Sequence, residues 1–140
     1  MKKVLLDTNI ILDFALERKY YFSDAEKILK LAFEGKITTY ITATTVTDIY
    51  YISRKEKGKD QTIGFLRNLM EFVEVANVNK NVILEAFALD LDFNDFEDAI
   101  QESAAQHSNI SKIVTRNEKD FKNSSLEIFT PKDFLARNIT

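Results

Sequence analysis

The sequence predicts a three-layer α/β/α domain around a mainly parallel sheet of four to five strands. Three observations lead there. Short runs rich in Val, Ile and Thr alternate with longer segments whose apolar residues recur at helical spacing. Helical segments separate the strands, and such crossovers join parallel neighbours. A length of 140 residues, 45% of them hydrophobic, suffices for one core, so residues 1–140 read as a single domain.

The elements follow in order. Lys3 to Leu6 reads as a short buried strand with Asp7 at its carboxyl end. Asn9 to about Glu17 carries Ile10, Ile11, Phe14 and Ala15 on one helical face. Ser23 and Glu26 have capping-box spacing, opening a helix that buries Ala25, Ile28, Leu29, Ala32 and Phe33 and stops at Gly35. Lys36 to Ala43 is the second strand. A third helix begins near Thr44 or Thr45 and ends in the basic run Arg54 to Lys59. Asp60 caps a fourth helix with Ile63, Leu66, Leu69 and Met70 inward, and Phe72 to Val78 is the third strand. Helices over about Asn79 to Leu89 and Asp95 to His107 flank an acidic loop. Ile110 to Thr115 is the fourth strand, Leu126 to Phe129 a fifth, and Thr130-Pro131 opens the last helix. Eleven Phe and no Trp suggest that Phe fills much of the core.

Composition narrows the chemistry. The absence of cysteine removes disulfides, thiolate metal sites and a cysteine nucleophile. The apolar run at the start ends at Asp7, too short for a signal peptide, and no stretch approaches the roughly 20 apolar residues of a membrane span. A cytoplasmic protein without a membrane is expected. A net charge of −3 argues against a broad basic nucleic-acid surface but not against a nuclease, whose bound cations restore attraction for phosphate.

Strand ends in such a sheet share one edge, where ligands bind. Asp7 stands there, although it also suits a helix cap. Asp48 has capping-box spacing from Thr45 and fits a helix dipole equally well. The segment Asp90 to Asp98 holds five carboxylates in nine residues, a loop that must be solvated or bridged by cations. Within it Asp95 and Asp98 are helical neighbours, with Phe96, Ala99, Ile100 and Ser103 facing inward. Asp98 and Glu102 form a like-charge pair that a metal would relieve. Thr115, Asn117 and Asp120 follow the fourth strand, where a polar turn is the plain alternative. Together these positions offer oxygen ligands without His or Cys, the donor set of Mg²⁺ or Mn²⁺, and such ions support phosphodiester hydrolysis.

Val4-Leu5-Leu6-Asp7-Thr8-Asn9, Asp48, Glu97-Asp98-Ala99-Ile100 and Val114-Thr115-Arg116-Asn117 with Asp120-Phe121 together resemble the ordered motifs of PIN-domain proteins, including VapC-type toxin ribonucleases. The resemblance spans nearly the whole chain. It implies an Mg²⁺- or Mn²⁺-dependent endoribonuclease acting on single-stranded RNA, a homodimer and an antitoxin partner. It implies Asp7, Asp48, Asp98 and Asn117 as catalytic and metal-holding residues, with Asn9, Thr115, Asp95 and Asp120 supporting them. Asp48 departs from a more common Glu, and Asn117 from a more common Asp. Arg116, Lys112, Lys119 and Arg54 are the candidates for RNA phosphates, against ordinary surface solvation.

His107 reads as a helix-end residue, and Tyr20-Tyr21-Phe22 and Tyr50-Tyr51 as core or dimer surface rather than base-stacking platforms. A phospho-accepting receiver domain is disfavoured, because Leu6-Asp7-Thr8 lacks an adjacent acidic pair. A PIN-like module that binds RNA or protein without cleaving it is the alternative.

Overall fold

A computed structural model describes residues 2–89 and 92–138; Asp90 and Leu91 of the acidic loop lie outside the described residues. The elements run β1 (Lys2–Leu6), α1 (Thr8–Ala15), α2 (Phe22–Phe33), β2 (Ile37–Thr42), α3 (Ala43–Lys57), α4 (Lys59–Leu69), β3 (Val73–Ala76), α5 (Lys80–Leu89), α6 (Phe96–His107), β4 (Lys112–Val114), β5 (Glu127–Phe129) and α7 (Pro131–Asn138). The five strands form one sheet in the order β3-β2-β1-β4-β5, and every pairing is parallel. The expected α/β alternation is therefore realised.

Burial on both faces explains the apolar run in β1. Val4 and Leu6 enter a core shared with Ile10, Ile28 and Phe134 of the helices on one side. Leu5, pointing the other way, joins Val82 and Ala86 of α5 and Ala99 and Ala104 of α6. β4 divides likewise, with Val114 in the first cluster and Ile113 in the second. The sheet is thus the middle of three layers.

Strand order reverses beside β1. The chain passes from β1 to β2 and β3 on one side, then returns to place β4 on the other. That reversal opens a crevice between the carboxyl ends of β1 and β4. Asp7 and Thr115 directly follow those two strands, and Asp7 N–H donates to Val114 O at 3.0 Å.

Several expected boundaries change for local reasons. Ser23 and Glu26 form no capping box: α2 begins at Phe22 after Tyr21, which makes no side-chain cap. Tyr21 and Phe22 instead donate their N–H groups to Arg18 O, so the preceding turn starts the helix. Asp60 lies inside the first turn of α4, whose N-cap is Gly58 at φ +83°, a conformation suited to glycine. Met70 remains 39% exposed while Thr62 is buried, its hydroxyl donating to Ser53 Oγ at 3.2 Å. Phe93, Phe121, Phe129 and Phe134 are buried, whereas Phe33, Phe87 and Phe96 are exposed, so Ile and Leu dominate the core more than Phe does. Phe96 stacks on Phe87 at 5.5 Å instead of turning inward. Gly35 at φ +74° and the Thr130 cap, which accepts from Asp133 N–H at 3.1 Å, match expectation. Among the described residues no helix is long and apolar enough to cross a membrane.

Candidate active site

Asp7 is both a helix cap and the hub of a polar site. Its Oδ1 accepts from Thr8 N–H at 2.8 Å, closing the start of α1. The same oxygen accepts from Gln101 Nε2 at 3.2 Å, and Oδ2 accepts from the Thr115 hydroxyl at 2.7 Å. Thr115 Oγ1 in turn accepts from Asn117 N–H at 3.0 Å. One carboxylate therefore ties together β1, α6 and the segment after β4.

Asp48 reaches the site from α3, but not as the partner of Thr45. Thr42 caps this helix, its hydroxyl oxygen accepting from Thr45 N–H at 3.3 Å, so the first turn starts at Ala43. Asp48 consequently stands in the second turn, where the capping-box account fails. The buried Thr45 hydroxyl meets that of Thr8 at 2.9 Å and fixes α3 against α1.

Asp95 caps α6 through Glu97 N–H at 2.9 Å, and Glu97 and Asp98 occupy its first turn. Asp98 is buried, and its carboxyl is pushed up to about 7 by burial first, then by repulsion from Asp7, Asp95 and Asp120. Glu97 is pushed up to about 8, by burial first and then by a hydrogen bond and charge repulsion from Asp48, with Asp95 and Asp7 adding to it. These causes group Asp7, Asp48, Asp95, Glu97, Asp98 and Asp120 within electrostatic reach of one another. Asn117 is exposed just before the short 3-10 turn Glu118–Phe121.

Among the described residues, the ion pairs involve Asp13, Glu34, Glu85 and Glu127, and none reaches Asp7, Asp48, Glu97 or Asp98. Asp7 and Asp98 are buried and Asp48 and Glu97 half-buried, and like charges so placed without a balancing cation are costly. Their donor chemistry, all oxygen, fits a hard divalent ion. Gln101 Oε1, buried with no partner, adds an oxygen beside Asp7. Among the described residues, however, no three His, Cys, Asp or Glu side chains already converge as a metal-holding group.

Three site features escaped the sequence. Glu97, which the sequence offers only as the neighbour of Asp98, shares the cluster through Asp48. Gln101 holds Asp7, the orienting task expected of Asn9; Asn9 Oδ1 instead accepts from Arg18 at 3.0 Å. Asp13, only 1% exposed, accepts from Arg116 Nε at 2.7 Å and Nη2 at 3.1 Å, with Arg18 at 3.4 Å. Their signals were present: Gln101 lies one turn after Glu97 and Asp98, and Asp13 interrupts the apolar face of α1.

The like-charge pair expected of Asp98 and Glu102 is relieved without metal. Glu102 accepts from Ser125 N–H at 2.9 Å, from both Ser124 and Ser125 hydroxyls, and from Gln106. Of the candidate phosphate contacts, Arg116 is bound to Asp13, and Lys112 lies 3.5 Å from Glu127. Lys119 and Arg54 are exposed, and Arg54 lies 5.8 Å from the Tyr50 ring. Tyr20 and Tyr21 are 86% and 44% exposed, and Tyr51 57%, so these rings are surface rather than core. His107 ends α6 and pairs with Glu85 at 3.4 Å.

A parallel sheet with acidic side chains gathered at its central switch point defines an α/β domain built for oxygen-ligand chemistry at one edge. The sequence matches the PIN domain family over residues 3–119, and the chain belongs to that family. It is 24% identical over 139 residues to a protein of Aquifex aeolicus named ribonuclease VapC1, covering 97% of this chain and 95% of that one. Among solved structures, VapBC2 of Rickettsia felis bound to a promoter DNA fragment aligns with a TM-score of 0.69 at 20% identity, covering 91% of this chain and 98% of that chain. A toxin–antitoxin complex of Klebsiella pneumoniae aligns with the same TM-score at 24% identity, covering 91% and 97%.

Proposed function

We propose that this chain is a divalent-metal-dependent endoribonuclease of the cytoplasm that hydrolyses single-stranded RNA, and the toxin of a toxin–antitoxin pair. The observation that carries the reading is the uncompensated acid cluster around Asp7, at the edge where β1 and β4 end. The ribonuclease name of the Aquifex aeolicus relative and the antitoxin complexes among the structural neighbours support it. By the same support an antitoxin protein is the expected partner; a homodimer is the assembly that the family resemblance implies.

Asp7, Asp48, Asp98 and Asn117 would hold Mg²⁺ or Mn²⁺, with Glu97 and the Gln101 carbonyl oxygen within the same group. A bound divalent ion lowers the pKa of a water ligand and stabilises charge developing on the phosphate. The chain's own residues supply orientation. The Gln101 amide holds Oδ1 of Asp7 and the Thr115 hydroxyl holds Oδ2, as outer partners of metal ligands do. Asp95 fixes the first turn of α6, and with it the directions of Glu97 and Asp98. Glu97, at about 8, retains its proton at neutral pH in the ion-free state and shares it with Asp48.

The test is cleavage of a mixed RNA pool by the pure protein with Mg²⁺ or Mn²⁺, beside Asp7→Asn. Metal-dependent cutting abolished by the substitution supports the reading. Intact RNA with both proteins, together with no metal uptake by calorimetry, favours a PIN-like module that binds without cleaving.

A further inference from the structure

Next to Thr115 in the chain, Arg116 enters a cavity of about 280 Å³ that Tyr20, Tyr21, Asp24, Thr130 and Lys132 also line. None of these residues is needed to explain the acid cluster. Three features of the cavity call for an occupant.

The first is Tyr20. Its φ of +78° lies in the left-handed region, a conformation that is an outlier for a bulky side chain. Core packing does not offset this strain, because the ring is 86% exposed. The turn is imposed by its neighbours: Arg18 N–H donates to Asp13 O at 3.0 Å, and Tyr21 and Phe22 N–H to Arg18 O at 3.2 and 2.9 Å. Strain held in place by surrounding bonds clusters at ligand clamps.

The second is Arg116. Its guanidinium lies 3.9 Å from the centre of the Tyr21 ring. Asp13 engages Nε and Nη2, which fixes the group and leaves Nη1 as a donor. A bidentate anchor of this kind makes the arginine a preset contact rather than a floating charge. The third is charge placement. Lys132 lines the cavity, and Lys19 Nζ sits 5.5 Å from the Tyr20 ring centre.

We propose that this cavity binds one nucleotide of single-stranded RNA next to the cleaved phosphate, its base stacked on Tyr20 and its phosphate held by Arg116 Nη1 and Lys132. The proposal rests on the ribonuclease reading and names a subsite for that substrate. Unpaired bases stack on aromatic rings without needing a particular sequence, and cations beside the ring hold the backbone. The volume suits one small planar group, being just below the usual range for drug-sized pockets. Asp24 offers an acceptor to an exocyclic amino group and repels a second phosphate.

The experiment compares Tyr20→Ala, Tyr20→Phe and Lys132→Ala in steady-state cleavage of a single-stranded oligonucleotide. Affinity for the same oligonucleotide is measured by fluorescence anisotropy on an Asp7→Asn background. Tyr20→Ala is expected to raise KM and weaken binding about 5- to 150-fold, the effect of removing one base–aromatic stack, with kcat retained. Tyr20→Phe restores both, because the stacking face survives. Lys132→Ala should reduce the salt dependence of log affinity by about 0.7, the contribution of one phosphate contact. Tyr20→Gly separates strain from stacking: it should bind RNA as weakly as Tyr20→Ala while melting at a higher temperature than the parent. Unchanged KM and affinity in Tyr20→Ala, with metal-dependent cleavage intact, overturn the subsite alone and point to a protein contact for the exposed ring. No RNA binding on the Asp7→Asn background and no cleavage by the parent overturn the subsite together with the ribonuclease reading.

Discussion

Replacing Asp98 by Asn should make the metal-free protein more stable at pH 8, although it removes a side chain at the centre of the site. Asp98 is buried near Asp7, Asp95 and Asp120, and its carboxyl is raised from 3.8 to about 7. A raised carboxyl binds its proton more tightly in the folded chain than in the unfolded one. Its burden is therefore absent below the unfolded value, grows as pH climbs from 3.8 towards 7, and is complete above that. About three units at ~1.4 kcal/mol each set a ceiling of ~4 kcal/mol. Relaxation of neighbouring side chains and water entry reduce this, so a gain of ~2–4 kcal/mol is expected for the neutral amide. Urea unfolding in EDTA at pH 8 and at pH 3.5 measures it. With a mid-range slope of ~2 kcal/mol/M, the midpoint should rise by roughly 1–2 M at pH 8 and scarcely move at pH 3.5. In excess Mg²⁺ or Mn²⁺ the order should reverse, since only the parent gains from the ion. A variant less stable than the parent in EDTA at pH 8 would refute the claim that Asp98 is strained by its neighbours.

Affinity for Mn²⁺ should increase with pH across the range that ends near 8, because the ion must displace protons held by Asp98 and Glu97. Calorimetry in buffers of different ionisation enthalpy should show proton release at pH 6.5 and little at pH 9. Asp13→Ala should destabilise the fold by about 2–4 kcal/mol, because two arginines lose a buried partner; an unchanged urea midpoint would count against that network. Glu102→Ala should cost about 2–4 kcal/mol and speed amide exchange at Ser124 to Leu126, which the buried carboxylate holds against α6. Ile113→Ala, at a fully buried β4 position, should cost about 2–5 kcal/mol without changing metal affinity.

The fold was legible where one rule acted alone. Val4-Leu5-Leu6 is apolar on both faces because both faces are covered, and Thr130-Pro131 starts a helix by local chemistry. Boundaries failed where two local devices competed. Ser23 and Glu26 had the right spacing, but the strained turn before them had already started α2 at Phe22. Thr45 had a cap-like place before Asp48, yet Thr42 reached the helix first. The phenylalanines misled through number, since a ring at an amphipathic border can remain exposed, as Phe87 and Phe96 do.

The candidate site was legible as a set of acids at strand and helix ends, and the structure brings the Thr115 hydroxyl to Asp7 at 2.7 Å. Its supporting groups were not. Periodicity says which residues share a helix face but not which neighbouring element that face meets. Gln101 was thus invisible as the partner of Asp7, 94 positions away, and Asp13 as the partner of Arg116, 103 positions away. Asn9 illustrates the converse, its amide oxygen drawn to Arg18 by a turn that the sequence left undefined.

The most direct measurement is metal-dependent RNA cleavage by the parent protein and by Asp7→Asn, each assayed with Mn²⁺ uptake measured on the same sample. Cleavage and uptake by the parent, with both lost in the variant, are the results expected if the acid cluster is the active site. Equal cleavage by the two proteins would contradict it.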